Sequence, residues 1–120
     1  MVICPGLEAF EEWGFLPYLG DRLARAGFAA VSFTYSGSGT RADVRDLEVL
    51  LGALSSGSLG LRPTAYGLMG HGLGGGVALL GAAQDERVRG LVTWAAVARP
   101  DRLSAPPLYR DVLDDLEARS

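Results

Sequence analysis

Five glycines fall within seven residues at Gly70-His71-Gly72-Leu73-Gly74-Gly75-Gly76, directly after the apolar run at 64–69 and directly before Val77-Ala78-Leu79-Leu80. Glycine is the one residue that takes positive φ at no steric cost and lets two backbones meet without a Cβ between them. A glycine cluster between a strand-like run and a helix-like run therefore marks a tight strand-to-helix turn with close packing on both sides. That turn restricts the fold more than any other feature of the chain.

The segments around it alternate in type. Val2-Ile3-Cys4 is a short apolar strand ended by Pro5-Gly6. Residues 13–26 carry Phe15, Leu16, Leu19, Leu23 and Ala26 at a helical period, and Gly27 ends them as a C-cap. Residues 28–33 are a second strand, and Ser36-Gly37-Ser38-Gly39 is a loop. Thr40, with Asp43 three residues on, caps a helix to Ser55 whose face is Val44, Leu47, Leu50, Leu51 and Leu54. A third strand is expected over 64–69, a small-residue helix over Leu73–Gln84 and a fourth strand over Val88–Trp94. After Pro106-Pro107 a last helix, 107–119, has Leu108, Val112, Leu113 and Leu116 as its stripe. Strands alternating with helices predict an α/β fold: three α/β/α layers around a short, about four-stranded, mostly parallel sheet. The 120 residues form one domain, with βα units over 1–103 and the C-terminal helix after them.

Composition excludes several functions. The chain is 48% hydrophobic and 21% charged, as globular domains are. Its 11 basic and 14 acidic residues are interspersed and sum to −3, which argues against a nucleic-acid partner. All the basic residues are scattered arginines. The single cysteine, Cys4, cannot form an internal disulfide, so a reducing, cytoplasmic setting is expected. Residues 1–4 are too short for a signal peptide, and no apolar run reaches the ~18–20 residues of a membrane span. Asp111, Asp114, Asp115 and Glu117 lack an accompanying histidine and read as a solvated helix face, so no metal is expected.

Two devices occupy a glycine-rich βα turn. One is the nucleophile elbow, Gly-x-Ser-x-Gly, whose central residue sits on a strained turn at the carboxyl edge of the sheet. Gly70 and Gly74 stand at its flanks and Gly72 at its centre, where the hydroxyl is missing. The other is the dinucleotide fingerprint, which Gly70-x-Gly72-x-x-Gly75 matches literally. That fingerprint also requires an acid at the end of the next strand and belongs to the first βα turn of its fold. No acid lies between Arg87 and Pro100, and this turn is the third. A nucleotide-binding module is therefore the weaker reading.

An ordered series of segments carries a resemblance. Val-Ile-Cys-Pro-Gly at 2–6, Glu12-Trp13-Gly14-Phe15, the run from Arg25 to Phe33, the run from Gly70 to Leu80, and Val92-Thr93-Trp94-Ala95-Ala96 together resemble the α/β-hydrolase superfamily, in its dienelactone-hydrolase-like or esterase-like branch. The similarity spans 1–103, and 107–118 resembles a lid-region helix of that branch. It implies a partial α/β-hydrolase fold and a site for a small acyl or ester ligand, with no cofactor. By position Gly72 corresponds to the catalytic serine. Leu73 and Leu7 supply the two oxyanion-hole N–H groups, and Gly70, His71 and Gly74 complete the elbow.

This chain departs from that pattern in its chemistry. Gly72 has no nucleophile, and the acid and histidine that follow the elbow in the family are not found after it. His71, the only histidine, lies inside the elbow and reads as structural. Cys4 reads as a buried strand residue, Ser36 and Ser38 as loop formers, and Trp13 and Trp94 as packing. The expected function is a catalytically silent hydrolase-like domain that keeps a ligand or partner site. The alternative is part of an active ester hydrolase completed by residues outside the chain. The Val88–Trp94 strand, with no strand after it, is expected to be a sheet edge open to a second copy or a complementing chain.

Overall fold

The computed structural model describes residues 1–6, 14–36 and 40–96. In order these form β1 (Val2–Cys4), α1 (Leu16–Arg25), β2 (Val31–Ser32), α2 (Thr40–Ser56), β3 (Tyr66–His71), α3 (Leu73–Gln84) and β4 (Val88–Trp94). The four strands make one sheet in the order β2-β1-β3-β4, and every pair is parallel. The expected α/β class and sheet size are therefore the observed ones. The helix expected over 107–119 lies outside the described residues, as do Leu7, Trp13 and Ser38.

The elements arise from local chemistry. Gly27, at φ 97°, ends α1, and the Phe28 N–H closes back onto the Leu23 carbonyl at 3.1 Å, a six-to-one cap. Gly57, at φ 78°, follows α2. Two strands differ from their expected bounds. The second was expected over 28–33, but only Val31 and Ser32 pair. The cap turns the Phe28 N–H toward α1, and the ladder with β1 runs only over Val2–Val31 and Ile3–Ser32. The third was expected over 64–69 and instead runs from Tyr66 to His71. Gly70 pairs with Cys4 on one side and Thr93 on the other, and His71 pairs with Trp94. Ladder partners on both flanks hold a glycine extended where composition alone reads as loop.

Two layers of helix cover the sheet. On one face Val2, Cys4, Tyr66 and Leu68 meet Val44, Leu47, Leu51 and Leu54 of α2 and Val77 and Ala78 of α3 in one buried cluster. Leu50, expected in that stripe, is half-buried beside it. Gly81 lets α3 approach α2: a Cβ there would sit 2.5 Å from Leu47 Cδ2. On the other face Ile3 packs near Gly20 of α1, with Leu16 and Met69 also buried. Of the α1 stripe only Leu16 is buried, Phe15, Leu19 and Leu23 are half-buried, and Ala26 is exposed. β4 is an edge of the described sheet and is exposed along most of its length, with Val92 at 52% and Trp94 at 54%.

Leu47 touches both helices and is fully buried. Leu47→Ala should lower unfolding free energy by about 2–5 kcal/mol, measured by urea denaturation, and exposed Val49→Ala by well under that.

Candidate functional site

The chain leaves β1 toward β2 on one side, and leaves β3 toward β4 on the other. Connections that depart in opposite directions open a crevice at the carboxyl ends of the two strands, where open α/β sheets bind ligands. Its walls are Pro5-Gly6 after β1 and His71-Gly72 after β3. A Cβ on Gly6 would lie 2.9 Å from the His71 carbonyl oxygen, so the two walls are in contact at their base.

Gly72 forms the turn between β3 and α3, with φ 59° and ψ −124°. That combination is sparsely populated by any residue with a side chain. Its N–H donates to the Trp94 carbonyl at 3.0 Å, and its own carbonyl accepts from the Gly75 N–H at 3.0 Å. The flanking glycines are held by contact. A Cβ on Gly70 would overlap the Gly74 carbonyl, and one on Gly74 would overlap the carbonyl oxygens of Cys4 and Pro5. A Cβ on Gly75 would come within 2.5 Å of Ala96 Cβ. Among the described residues, a Cβ on Gly72 would meet only Gly6 Cα, at 3.9 Å.

An aromatic wall stands beside it. Phe15 meets the His71 ring edge-on at 5.1 Å and the Trp94 ring at 5.0 Å, tilted by 46°. His71 and Trp94 are register partners whose rings lie 6.2 Å apart. Trp94 ends β4, where a dinucleotide fingerprint needs an acid. Leu73 begins α3, so the helix's leading N–H groups lie at this edge. Leu7, the other expected oxyanion donor, falls outside the described residues.

Burial quenches the Cys4 thiol and the Tyr35 phenol near the crevice. Cys4 is fully buried, and desolvation pushes its thiol up to about 12, so it presents no thiolate. Tyr35 donates its hydroxyl to the Pro5 carbonyl at 3.1 Å, tying the end of β2 to the crevice wall. Burial first, then the Cys4, Asp43 and Asp46 charges, holds its phenol well above the ordinary range. Asp46 accepts from the Ser36 N–H at 2.7 Å and the Ser36 hydroxyl at 2.8 Å, which makes Ser36 a loop anchor. Asp43, in the first turn of α2, has a buried Oδ1 without a hydrogen-bond partner. Burial, then Asp46, raises its carboxyl from 3.8 to about 6, against the helix N-terminus that favours its charge. No cluster of three or more metal-ligating side chains occurs among the described residues, and no described helix is long and apolar enough to cross a membrane.

The structure brings Gly70, His71, Gly72, Leu73 and Gly74 together as the spacing requires. Phe15, Tyr35, Asp43 and Asp46 were not singled out as site residues. Phe15 carries only a helical-stripe signal, Tyr35 and Asp46 act through pairings across ten or more positions, and Asp43 reads in the sequence as a first-turn helix residue. No protein-family model matches the chain, and no curated protein matches its sequence.

Two outcomes separate these positions. Gly74→Ala, which must displace two strand carbonyls, should cost about 3 kcal/mol or more or prevent folding. Gly72→Ala, which meets strain without a clash, should cost about 1–3 kcal/mol in the same denaturation experiment. Asp43 adds a pH signature. Its folded carboxyl titrates above the unfolded one, so its contribution is most favourable below 3.8 and is lost as pH rises through about 6. Asp43→Asn should therefore stabilise the protein at pH 7.5 by about 1 kcal/mol, allowing for solvent screening, and by less at pH 4.5, read as melting temperature in both buffers.

Proposed function

We propose that this chain is an α/β-hydrolase-like domain whose nucleophile position is vacated, silent toward ester hydrolysis but retaining a crevice for a small acyl or ester ligand. One observation carries the reading: a single-residue strand-to-helix turn at Gly72, with φ 59° and ψ −124°, whose flanking glycines are in backbone contact. This is the arrangement that lifts a nucleophile to the carboxyl edge of a sheet. It stands within the ordered segments that resemble that family.

Silence follows from the groups present. Attack on an ester carbonyl needs a nucleophile activated by an adjacent base that is itself oriented by a third group. Gly72 supplies none. Cys4 and Tyr35 are held neutral by burial. The His71 ring is packed by Phe15 and Trp94. Among the described residues what remains is shape, the leading N–H groups of α3, and an aromatic wall, which can bind a carbonyl-bearing ligand without turning it over.

The test is p-nitrophenyl acetate hydrolysis by the purified chain, expected at the buffer rate. Gly72→Ser should raise it by less than about tenfold, because a serine without a positioned base lacks the ~10²–10⁴-fold that general-base catalysis supplies. Turnover by Gly72→Ser far above that, abolished by His71→Ala, would overturn the silent reading. Saturable quenching of Trp94 fluorescence by a short ester, in a Trp13→Phe background, tests the retained crevice. No quenching up to the ester's solubility limit would remove it.

A further inference from the structure

The opposite end of the sheet holds a second concavity. A groove of about 360 Å³ lies where the amino ends of β1 and β3 meet the α1–β2 and α2–β3 connections. That volume falls within the ~300–1,000 Å³ of small-molecule sites. Apolar side chains line it in part, among them Phe28, Val31, Leu54, Leu61 and Tyr66. Phe28 is 49% exposed and Leu61 38%, so two large apolar side chains of the lining lie uncovered.

Met1 and Arg62 carry the charged groups of that lining, and the Met1 ammonium already donates to the Ala29 carbonyl at 2.9 Å. The Arg62 guanidinium lies over the turn at Gly57, where a Cβ would come within 3.4 Å of Nε. The turn, at φ 78°, thus leaves room for the fork. Among the described residues the ion pairs are Arg25–Asp21 and Arg87–Asp85, and no carboxylate is paired with Arg62. The acid in the neighbouring turn, Asp85, is already held by Arg87 through two short contacts, 2.9 and 2.6 Å. Arg87 itself extends over the Tyr66 ring, 5.6 Å from its centre. The groove therefore combines apolar side chains with a guanidinium that no described carboxylate pairs with, and with the Met1 ammonium.

We propose that this groove binds an amphiphilic monocarboxylate, its carboxylate on Arg62 and its hydrocarbon tail along Phe28, Val31, Leu54 and Leu61. A planar guanidinium matches a carboxylate by two parallel hydrogen bonds, which the Met1 ammonium, a point cation already donating to the Ala29 carbonyl, does not offer. The tail covers the exposed apolar rim. The groove lies at the opposite end of the strands from Gly72, so it stands or falls independently of the crevice.

The experiment uses octanoate, below its micellar range, titrated into the ¹⁵N-labelled full chain. Saturable shifts are expected at the amides of Gly27, Thr64 and Gly67, and none at Gly72 or Gly74. Arg62→Gln should weaken octanoate about tenfold, and Arg62→Lys by less. On the unaltered chain, 1-octanol should bind about tenfold more weakly than octanoate, a comparison that holds even if a variant misfolds. Absence of saturable shifts, shifts centred on Gly72, octanol binding as tightly as octanoate, or Arg62→Gln binding like the parent would each overturn the assignment.

Discussion

The structure depends on one close contact, the first turn of α3 seated directly on backbone. Gly74 lies against the carbonyl oxygens of Cys4 and Pro5, and Gly70 against Gly74 itself, at separations that admit no side chain. This seat fixes three things at once. It draws Val77 and Ala78 down onto the sheet, where they join Leu47 and Leu68 in the core. It brings the ends of β1 and β3 to a common edge. It also leaves a single residue, Gly72, to reverse the chain, which is why that residue takes φ 59° and ψ −124° rather than an ordinary helical approach. Fold and crevice thus share one cause, backbone meeting backbone where a Cβ would forbid it.

The same compactness sets the chemistry of the edge. Cys4 and Tyr35 stand near the crevice wall, and each would be a nucleophile or a general acid if it ionised near neutrality. Desolvation prevents it in both, and the Tyr35 hydroxyl is spent holding the Pro5 carbonyl. Asp43 shows the reverse side of that balance. Its charge is destabilising where it sits, because burial and Asp46 together outweigh the favourable helix terminus. The residues that shape the crevice are therefore the ones least able to react in it.

Much of this was legible in the sequence because it is local. The stripe Val44, Leu47, Leu51, Leu54 gave α2 its buried face, and Gly27 and the 70–76 glycines marked a cap and a turn by conformational need alone. What sequence could not supply is pairing across the fold. The strand expected over 28–33 shrank to two residues, with a helix cap taking the Phe28 N–H and the ladder with β1 covering only Val31 and Ser32. The third strand moved two residues toward the turn because Cys4, Thr93 and Trp94 kept Gly70 and His71 extended. Phe15 on His71, Tyr35 on Pro5 and the uncovered Arg62 groove arise from segments brought together only by folding. Periodicity says which face of an element is buried, and it is silent on what that face meets.

The glycines of the 70–75 turn are glycines for two different reasons, and the geometry separates them. At Gly70, Gly74 and Gly75, where φ is not positive, an added Cβ would meet neighbouring atoms at 2.5 Å or less, so contact demands the missing side chain. At Gly72 the nearest described neighbour of an added Cβ is Gly6 Cα at 3.9 Å, and the other positive-φ glycines Gly14, Gly27 and Gly60 meet no described atom within 4 Å. Conformation demands glycine there, since a side chain at such a φ costs about 1–3 kcal/mol in backbone strain. The two demands are linked, because the contacts that seat Gly70 and Gly74 leave one residue in which to reverse the chain, and that residue must then take a positive φ.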